Sequence, residues 1–411
     1  MATHPAQRET SEQRETPPQR GTPEPEQPAG SAFALTEDQR EIQRTAREFA
    51  DEQLAPHAIE WDRDKHFPVD VIRRAGDLGI GGVAVPEDVG GSGLGKFEAV
   101  LISEALATGC PSTAAYLSIH NMVAGMIDRF GDQSQRARWL PSLCSLRTLA
   151  SYCLTEPEAG SDAGALRTRA VRDGDEYALT GVKQFISGAG STDLYVVMAR
   201  TGESGAGGIS TFVVPAGTEG LSFGPNEHKM GWNTQPTRQV VLDGARVPVQ
   251  HRLGAEGDGF KIAMAGLDGG RLGIGACSLG GAQAALDRSL EYVRERAAFG
   301  SKLREFQAVQ FKLADMATDL EAARMLLWRA AAALDAGDPE ASRLCAMAKR
   351  LTTDTGFAVA NDALQIHGGY GYLAEYGLEK IVRDLRVHQI LEGTNDIMRL
   401  IISRGLLEST P

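Results

Sequence analysis

"SYCLTEPEAGSDAGAL", Ser151 to Leu166, marks the point at which the chain changes its hydrophobic period. Upstream, apolar residues recur at helical spacing. "TEDQREIQRTAREFADEQLAPHAIEW" (36–61) opens on a Thr suited to a helix N-cap and carries Ile42, Phe49, Leu54 and Ile59 on a drifting apolar face. Further helices are predicted over 68–78, 96–108, 112–130 and 133–146. Downstream, "EYALTG", "DLYVVMART", "GISTFVVPA" and "TRQVVLDGARVP" are short runs separated by Gly, Asp, Ser and Pro, the pattern of strands in an antiparallel sheet or barrel. At Gly257 the helical period returns, with helices predicted over 257–296, 305–335, 340–366, 374–386 and 395–408. Helices, then strands, then helices make an α+β chain, mostly α. The divisions are a tail over 1–32, a helical domain over 33–149, a β domain over 150–254 and a second helical domain over 255–411.

Composition narrows the function classes. Of 411 residues, 42% are hydrophobic and 23% charged, as in a globular protein. No apolar run approaches the roughly 18 residues that a membrane span needs. A net charge of −12, with no long Lys/Arg cluster, argues against nucleic acid as a ligand. The five cysteines, Cys110, Cys144, Cys153, Cys277 and Cys345, are dispersed, as reduced thiols are, and His367 and His388 lack metal-ligand spacing. The first 30 residues contain six prolines, "QRET" twice and no Leu, Ile, Val or Phe, so this tail is expected to be disordered. Its five Glu residues argue against a mitochondrial presequence, and a bacterial cytoplasmic location is the simplest expectation.

A Rossmann nicotinamide site needs GxGxxG directly after a strand, and none is present. The glycines of "VPEDVGGSGLG" (85–95) form a turn, and those of "GRLGIGACSLGGAQAAL" (270–286) mark close helix packing. Five other stretches can carry chemistry. Around Thr155, Gly160 and Ser161 a glycine turn exposes amides and hydroxyls suited to a ring edge or a phosphate, although a plain interdomain loop would read the same. "KQFISGAG" (183–190) adds Phe185 and Ser187 at a strand end, suiting a planar heterocycle. Arg296, near Phe299 at a break between helices, can grip a diphosphate or simply cap a helix C-terminus. Gln365 and His367, before the glycines of "QIHGGYGYL", are capping or core groups or line a site, and Glu392 in "HQILEGTND" is a desolvated acid or the first acid of an ordinary helix.

These stretches, in this order, resemble the acyl-CoA dehydrogenase family. "YCLTEPEAGSD" and "ALQIHGGYGYL…VRDLRVHQILEGTNDIMR" look like its two signature regions, and the similarity runs from about Phe33 to Leu407. The resemblance implies an N-terminal helical domain, a middle β-barrel or sandwich and a C-terminal four-helix bundle, with FAD as cofactor, in a homotetramer whose neighbouring subunits complete each flavin site. It implies flavin contacts from Tyr152, Cys153, Leu154, Thr155, Gly160, Ser161, Phe185, Ile186 and Ser187. Contacts given to a partner's FAD are implied for Arg296, Phe299, Phe306, Gln307, Gln365, Ile366, His367, Gly368 and Gly369, with Thr394, Asn395 and Asp396 as further FAD contacts. Ser161, Asp268, Gly269, Gly270, Arg271 and Arg404 match positions lining the acyl-CoA site.

Glu392 matches the base that takes the α-proton while a hydride leaves the β-carbon for flavin N5. A minority of the family places the base on the long helix, where this chain has Gly270. Straight-chain members often carry Tyr before the base, and Leu391 here suits a short branched acyl group. The expected reaction is α,β-dehydrogenation of isobutyryl-CoA to methacrylyl-CoA in valine breakdown, with electrons passing to an electron-transferring flavoprotein. Alternatives are 2-methylbutyryl- or butyryl-CoA as substrate, oxygen as acceptor, or a helical scaffold without cofactor. In a eukaryote the matching compartment is the mitochondrial matrix.

Overall fold

Small residues along one long helix organise the fold. In a computed structural model that describes Met1 and residues 34–408, the helix Gly259–Glu295 (α7) is buried on nearly every side. Its low side-chain bulk lets neighbours approach to backbone contact: a Cβ on Gly280 would lie 2.1 Å from the carbonyl oxygen of Glu104. No other residue fits at that crossing.

The helices that surround it come from both ends of the chain. N-terminal to the strands lie α1 (Glu37–Phe49), α2 (Ala58–Asp64), α3 (Val69–Arg74), α4 (Lys96–Gly109), α5 (Pro111–Phe130) and α6 (Gln133–Cys144). C-terminal to α7 lie α8 (Gln307–Asp335), α9 (Ala341–His367), α10 (Leu378–Arg386) and α11 (Asn395–Glu408). Core residues of α7, α8, α9 and α10 form one apolar cluster, which Val100 of α4 joins. The predicted helices are present within a few residues of their expected ends. The first is interrupted: a wide π turn over Ala50–Leu54 separates α1 from α2. The described residues from Glu37 onward make one compact unit. The tail expected to be disordered lies outside the described residues.

Between the helical parts lie β1 (Ala150–Cys153), β2 (Arg169–Asp173), β3 (Glu176–Ser187), β4 (Leu194–Arg200), β5 (Ile209–Pro215), β6 (Leu221–Phe223), β7 (Thr237–Pro248) and β8 (Arg252–Leu253). They pair in the order β6-β7-β3-β2-β4-β5-β8, with β1 joined to β4. The sheet is not wholly antiparallel as expected, because β1 and β2 both run parallel to β4. β1, which leads into the quoted Ser151–Leu166 stretch, has no alternation because both its faces are covered. Among the described residues no helix is long and apolar enough to cross a membrane.

One buried ion pair ties the loop after β1 to the sheet. Lys183 Nζ of β3 meets Glu156 Oε1 at 2.7 Å and the Leu154 carbonyl at 3.1 Å, and Glu156 also accepts from the amides of Arg167 and Thr168. Both side chains are essentially out of solvent. Breaking such a pair strands a buried charge. Lys183→Met is expected to destabilise the protein by about 3–5 kcal/mol in urea unfolding. The double variant with Glu156→Gln is expected to be more stable than Lys183→Met alone.

Candidate active site

Glu392 lies in the link between α10 and α11 in the left-handed conformation, φ 54°, followed by Gly393 at φ 87°. Two left-handed residues in succession reverse the chain and lay the Glu392 side chain against α7. Gly270 is the residue it meets: a Cβ there would sit 2.2 Å from Glu392 Oε2. That oxygen is out of solvent contact and has no hydrogen-bond partner. Burial pushes the Glu392 carboxyl up to about 7, with the Lys349 and Arg271 cations holding it from rising further. A lone buried carboxylate titrating near neutrality is poised to accept a proton.

The surrounding link is pinned on two sides. The Trp232 indole N–H donates to His388 Nε2 at 3.1 Å, which leaves the imidazole proton on Nδ1, 2.6 Å from Ser278 Oγ of α7. Burial, and secondarily the charge of Lys349, pushes His388 down to about 3, so the ring is neutral. On the other side Lys349 of α9 donates to the Gly393 carbonyl at 2.8 Å and to Asn395 Oδ1 at 2.9 Å. Asn395 in turn donates to Thr353 and Asp354, and Gln389 donates to the same Asp354.

The structure brings Tyr152, Gly270, Arg271 and Glu392 together: the Glu392 charge acts on the Tyr152 phenol, and Arg271 acts on both. Arg271 is buried, donates to Asp268 at 2.6 Å and keeps its Nε unpartnered. Asp268 also accepts from Ser342. The loop after β1 and the end of β3 also meet, through Gln184 N–H to the Thr155 carbonyl at 2.8 Å and Ser151 Oγ to the Ser187 carbonyl at 2.6 Å. Phe185 stands at a bulge in the β3–β7 pairing, left-handed at φ 59° and 62% exposed. Cys153, Leu154 and Ile186 instead turn their side chains into the core, leaving only backbone for a ligand. Gly160 and Ser161 are exposed, as is Arg404 on α11.

A second group gathers elsewhere. Tyr292, Arg296, Ile366, His367, Gly368 and Tyr370 line a groove, with Arg296 5.3 Å from the Tyr370 ring and Tyr292 stacked on His367 at 4.1 Å. Phe299, fully exposed at φ 52°, makes an edge contact with Phe306. Gln307 and Gln365 are exposed nearby in sequence, at the start of α8 and the end of α9. Arg296 caps α7 twenty-five residues beyond Arg271, roughly 37 Å along a helix rising 1.5 Å per residue. The two groups therefore cannot serve one ligand-sized site within this chain. Thr394 caps α11 by accepting from the Ile397 amide, and Asp396 is exposed beside Arg399.

Sequence reading missed Trp232, Ser278 and Lys349, which approach the Glu392 link from three distant segments. No local signal marks them. Left-handed backbone does mark the region: Phe185, Trp232, Phe299 and Glu392 are four of the six non-glycine residues with positive φ among the described residues. Bulky residues held there concentrate at functional sites.

A large planar cofactor carrying phosphates needs a flat apolar face, hydroxyls and a cation. Phe185 with Thr155 and Ser187 at one place, and Arg296 with the open Gly368–Gly369 turn at the other, fit those needs. Models of the N-terminal, middle and C-terminal domains of acyl-CoA dehydrogenase match residues 36–147, 151–245 and 257–407. The chain belongs to the acyl-CoA dehydrogenase family, whose members are FAD-dependent oxidoreductases. It is 55% identical to the mitochondrial isobutyryl-CoA dehydrogenase of Dictyostelium discoideum, over 91% of this chain and 90% of that protein. Against the Bos taurus enzyme of the same name it is 53% identical, over 92% and 91%. The butyryl-CoA dehydrogenase structure from Megasphaera elsdenii superposes with a TM-score of 0.89 at 39% identity, covering 91% of this chain and 99% of that one.

Removing the indole donor tests the pin on the Glu392 link. Trp232→Phe strands His388 Nε2 in a buried site, and chemical denaturation is expected to register a loss of about 1–3 kcal/mol.

Proposed function

We propose that this chain catalyses α,β-dehydrogenation of a short branched acyl-CoA, isobutyryl-CoA to methacrylyl-CoA, with Glu392 taking the α-proton. The observation that carries the reading is the Glu392 carboxyl seated on Gly270, its Oε2 dry and unpartnered and its pKa near 7. An acid hydrogen-bonded to its surroundings would have its lone pairs occupied. This one is held ready, and its burial makes the ionised form a stronger base. FAD, when bound, supplies the acceptor for the hydride that leaves the β-carbon. Arg271, fixed by Asp268, presents a buried cation whose charge acts on the carboxylate. Leu391, packed against the N-terminal helical core, gives the acyl pocket an aliphatic wall beside the base. The names of the two isobutyryl-CoA dehydrogenase relatives support the branched substrate over butyryl-CoA.

The separation of Arg296, Phe299 and Gly368–Gly369 from the Glu392 site supports a homotetramer in which these residues complete the FAD site of a neighbouring copy. A fully exposed phenylalanine in a strained conformation is costly on a free surface and suits one that a partner covers. The physiological acceptor on this reading is an electron-transferring flavoprotein. The compartment on this reading is the cytoplasm in a bacterium or the mitochondrial matrix in a eukaryote, and the two relatives are named as mitochondrial.

Anaerobic mixing with isobutyryl-, 2-methylbutyryl-, isovaleryl-, butyryl- and octanoyl-CoA, scored by bleaching of the oxidised flavin band, tests the substrate. Isobutyryl-CoA is expected to bleach fastest, and a faster butyryl-CoA would replace it. Glu392→Gln is expected to lower the bleaching rate by at least about 10²–10⁴-fold with FAD retained. The carboxylate is the active form and its pKa is raised, so the wild-type rate should climb about tenfold per unit below pH 7 and level off above it.

Gly270→Ala tests the seat itself. The new methyl meets only the far end of a flexible side chain, so the fold survives while the carboxylate is pushed aside. Stopped-flow bleaching is expected to slow about 10²-fold, as a displacement near 1 Å produces.

A further inference from the structure

We propose that Lys349 is a positioning residue for the reaction: it fixes the peptide that carries Glu392 and supplies the charge that keeps this base ionised. The inference rests on the reading of Glu392 as the proton acceptor. Three lysines of the described residues are buried, Lys183, Lys349 and Lys380. Lys183 meets the Glu156 carboxylate at 2.7 Å and Lys380 meets Asp384 at 2.6 Å, the ordinary way to pair an ammonium inside a protein. Lys349 makes no such pair. Its hydrogen bonds go to two neutral acceptors that closely follow Glu392 in sequence, the Gly393 carbonyl and Asn395 Oδ1. Glu392, the residue before Gly393, likewise lacks a partner for Oε2. A buried cation and a carboxyl with one dry oxygen are thus held near each other without an ion-pair contact.

That split arrangement has a chemical use. Direct contact would occupy the carboxylate lone pairs and lower its basicity, as in Glu156. Held apart, the ammonium favours the ionised form through space while leaving the oxygen that must receive a proton free. Its two hydrogen bonds also brace the Glu392–Gly393 pair, both left-handed, the conformation that sends the carboxylate onto Gly270. A neutral donor would satisfy the Gly393 carbonyl equally well, so a hydrogen-bonding role alone does not call for a fully buried charge.

The groups that face Glu392 are Lys349 of α9, Arg271 and Cys277 of α7 and Tyr152 of β1; those that face Lys349 are Glu392, Arg271, Asp354 and His388. Burial pushes Lys349 down to about 8, with Glu392 opposing that shift, while the neutral Cys277 and Tyr152 remain protonated. Arg271 alone does not replace Lys349, because its guanidinium is already paired with Asp268.

The test compares Lys349→Gln, which keeps a donor for Gly393 but loses the charge, with Lys349→Met, which loses both, and Lys349→Arg, which keeps the charge. Each FAD-loaded variant is titrated by infrared difference spectroscopy of the protonated carboxyl band, assigned by its absence in Glu392→Gln, and by the pH dependence of anaerobic flavin bleaching. Both neutral variants are expected to move the band's midpoint up by about one pH unit. Bleaching at pH 6.5 should then be about tenfold slower, and Lys349→Gln should recover toward the wild-type rate at high pH. Lys349→Met should recover less, and Lys349→Arg should shift by less than half as much. A Gln or Met variant that binds FAD and keeps the wild-type midpoint overturns the proposal; using two neutral variants guards against one that does not fold. Glu392→Gln separates the two levels: if it bleaches normally the base assignment falls, and if it is inactive while the Lys349 variants are unshifted only this inference falls.

Discussion

A carboxylate pressed against a glycine is the constraint from which the rest of this structure can be read. Glu392 reaches α7 only because Gly270 has no side chain, and its oxygen is dry only because α7 is enclosed by helices from both ends of the chain. The energetic requirement runs against ordinary folding preferences. A buried acid without a partner, on a left-handed non-glycine residue, raises the free energy of the native state twice. The surrounding packing has to outweigh both terms, and the enclosed α7 core supplies it.

The polar network around the link distributes that load. Trp232 comes from the segment between β6 and β7, Ser278 from α7 and Lys349 from α9, yet all three converge on the few residues between α10 and α11. Each fixes a backbone or ring that a one-ångström drift would misplace. Trp232 is itself left-handed, and its amide is held by Asp384, which Lys380 neutralises. The Glu156–Lys183 pair performs the same service for the loop after β1. Buried ion pairs in this molecule thus stand beside the site and hold its loops, while Glu392 and Lys349 make no ion pair.

Much of this was legible in the residues, and the reasons differ by element. The helices of both ends appeared at their predicted positions because apolar residues recur at helical spacing between recognisable breaks, such as the Cys110–Pro111 step between α4 and α5. The small residues of 270–286 announced a crossing too close for side chains, and Gly280 against Glu104 is that crossing. Strands β3, β4, β5 and β7 were visible by composition. β1 and the parallel pairing with β4 were not, because a four-residue strand covered on both faces carries no alternation to detect. The π turn at Ala50–Leu54 was equally silent, since one extra residue in a turn changes no composition.

By itself the sequence determined the order helix, sheet, helix, the motif positions of Thr155, Phe185, Arg296 and Glu392, and through them the family. These are local or ordered features, and a linear string preserves them. Only the tertiary structure decided that Glu392 Oε2 has no partner and that Gly270 is its seat. It also decided that Lys349 keeps its charge free while Lys183 and Lys380 do not. Desolvation and the presence or absence of a neighbour are properties of the space around an atom, set by segments hundreds of residues apart.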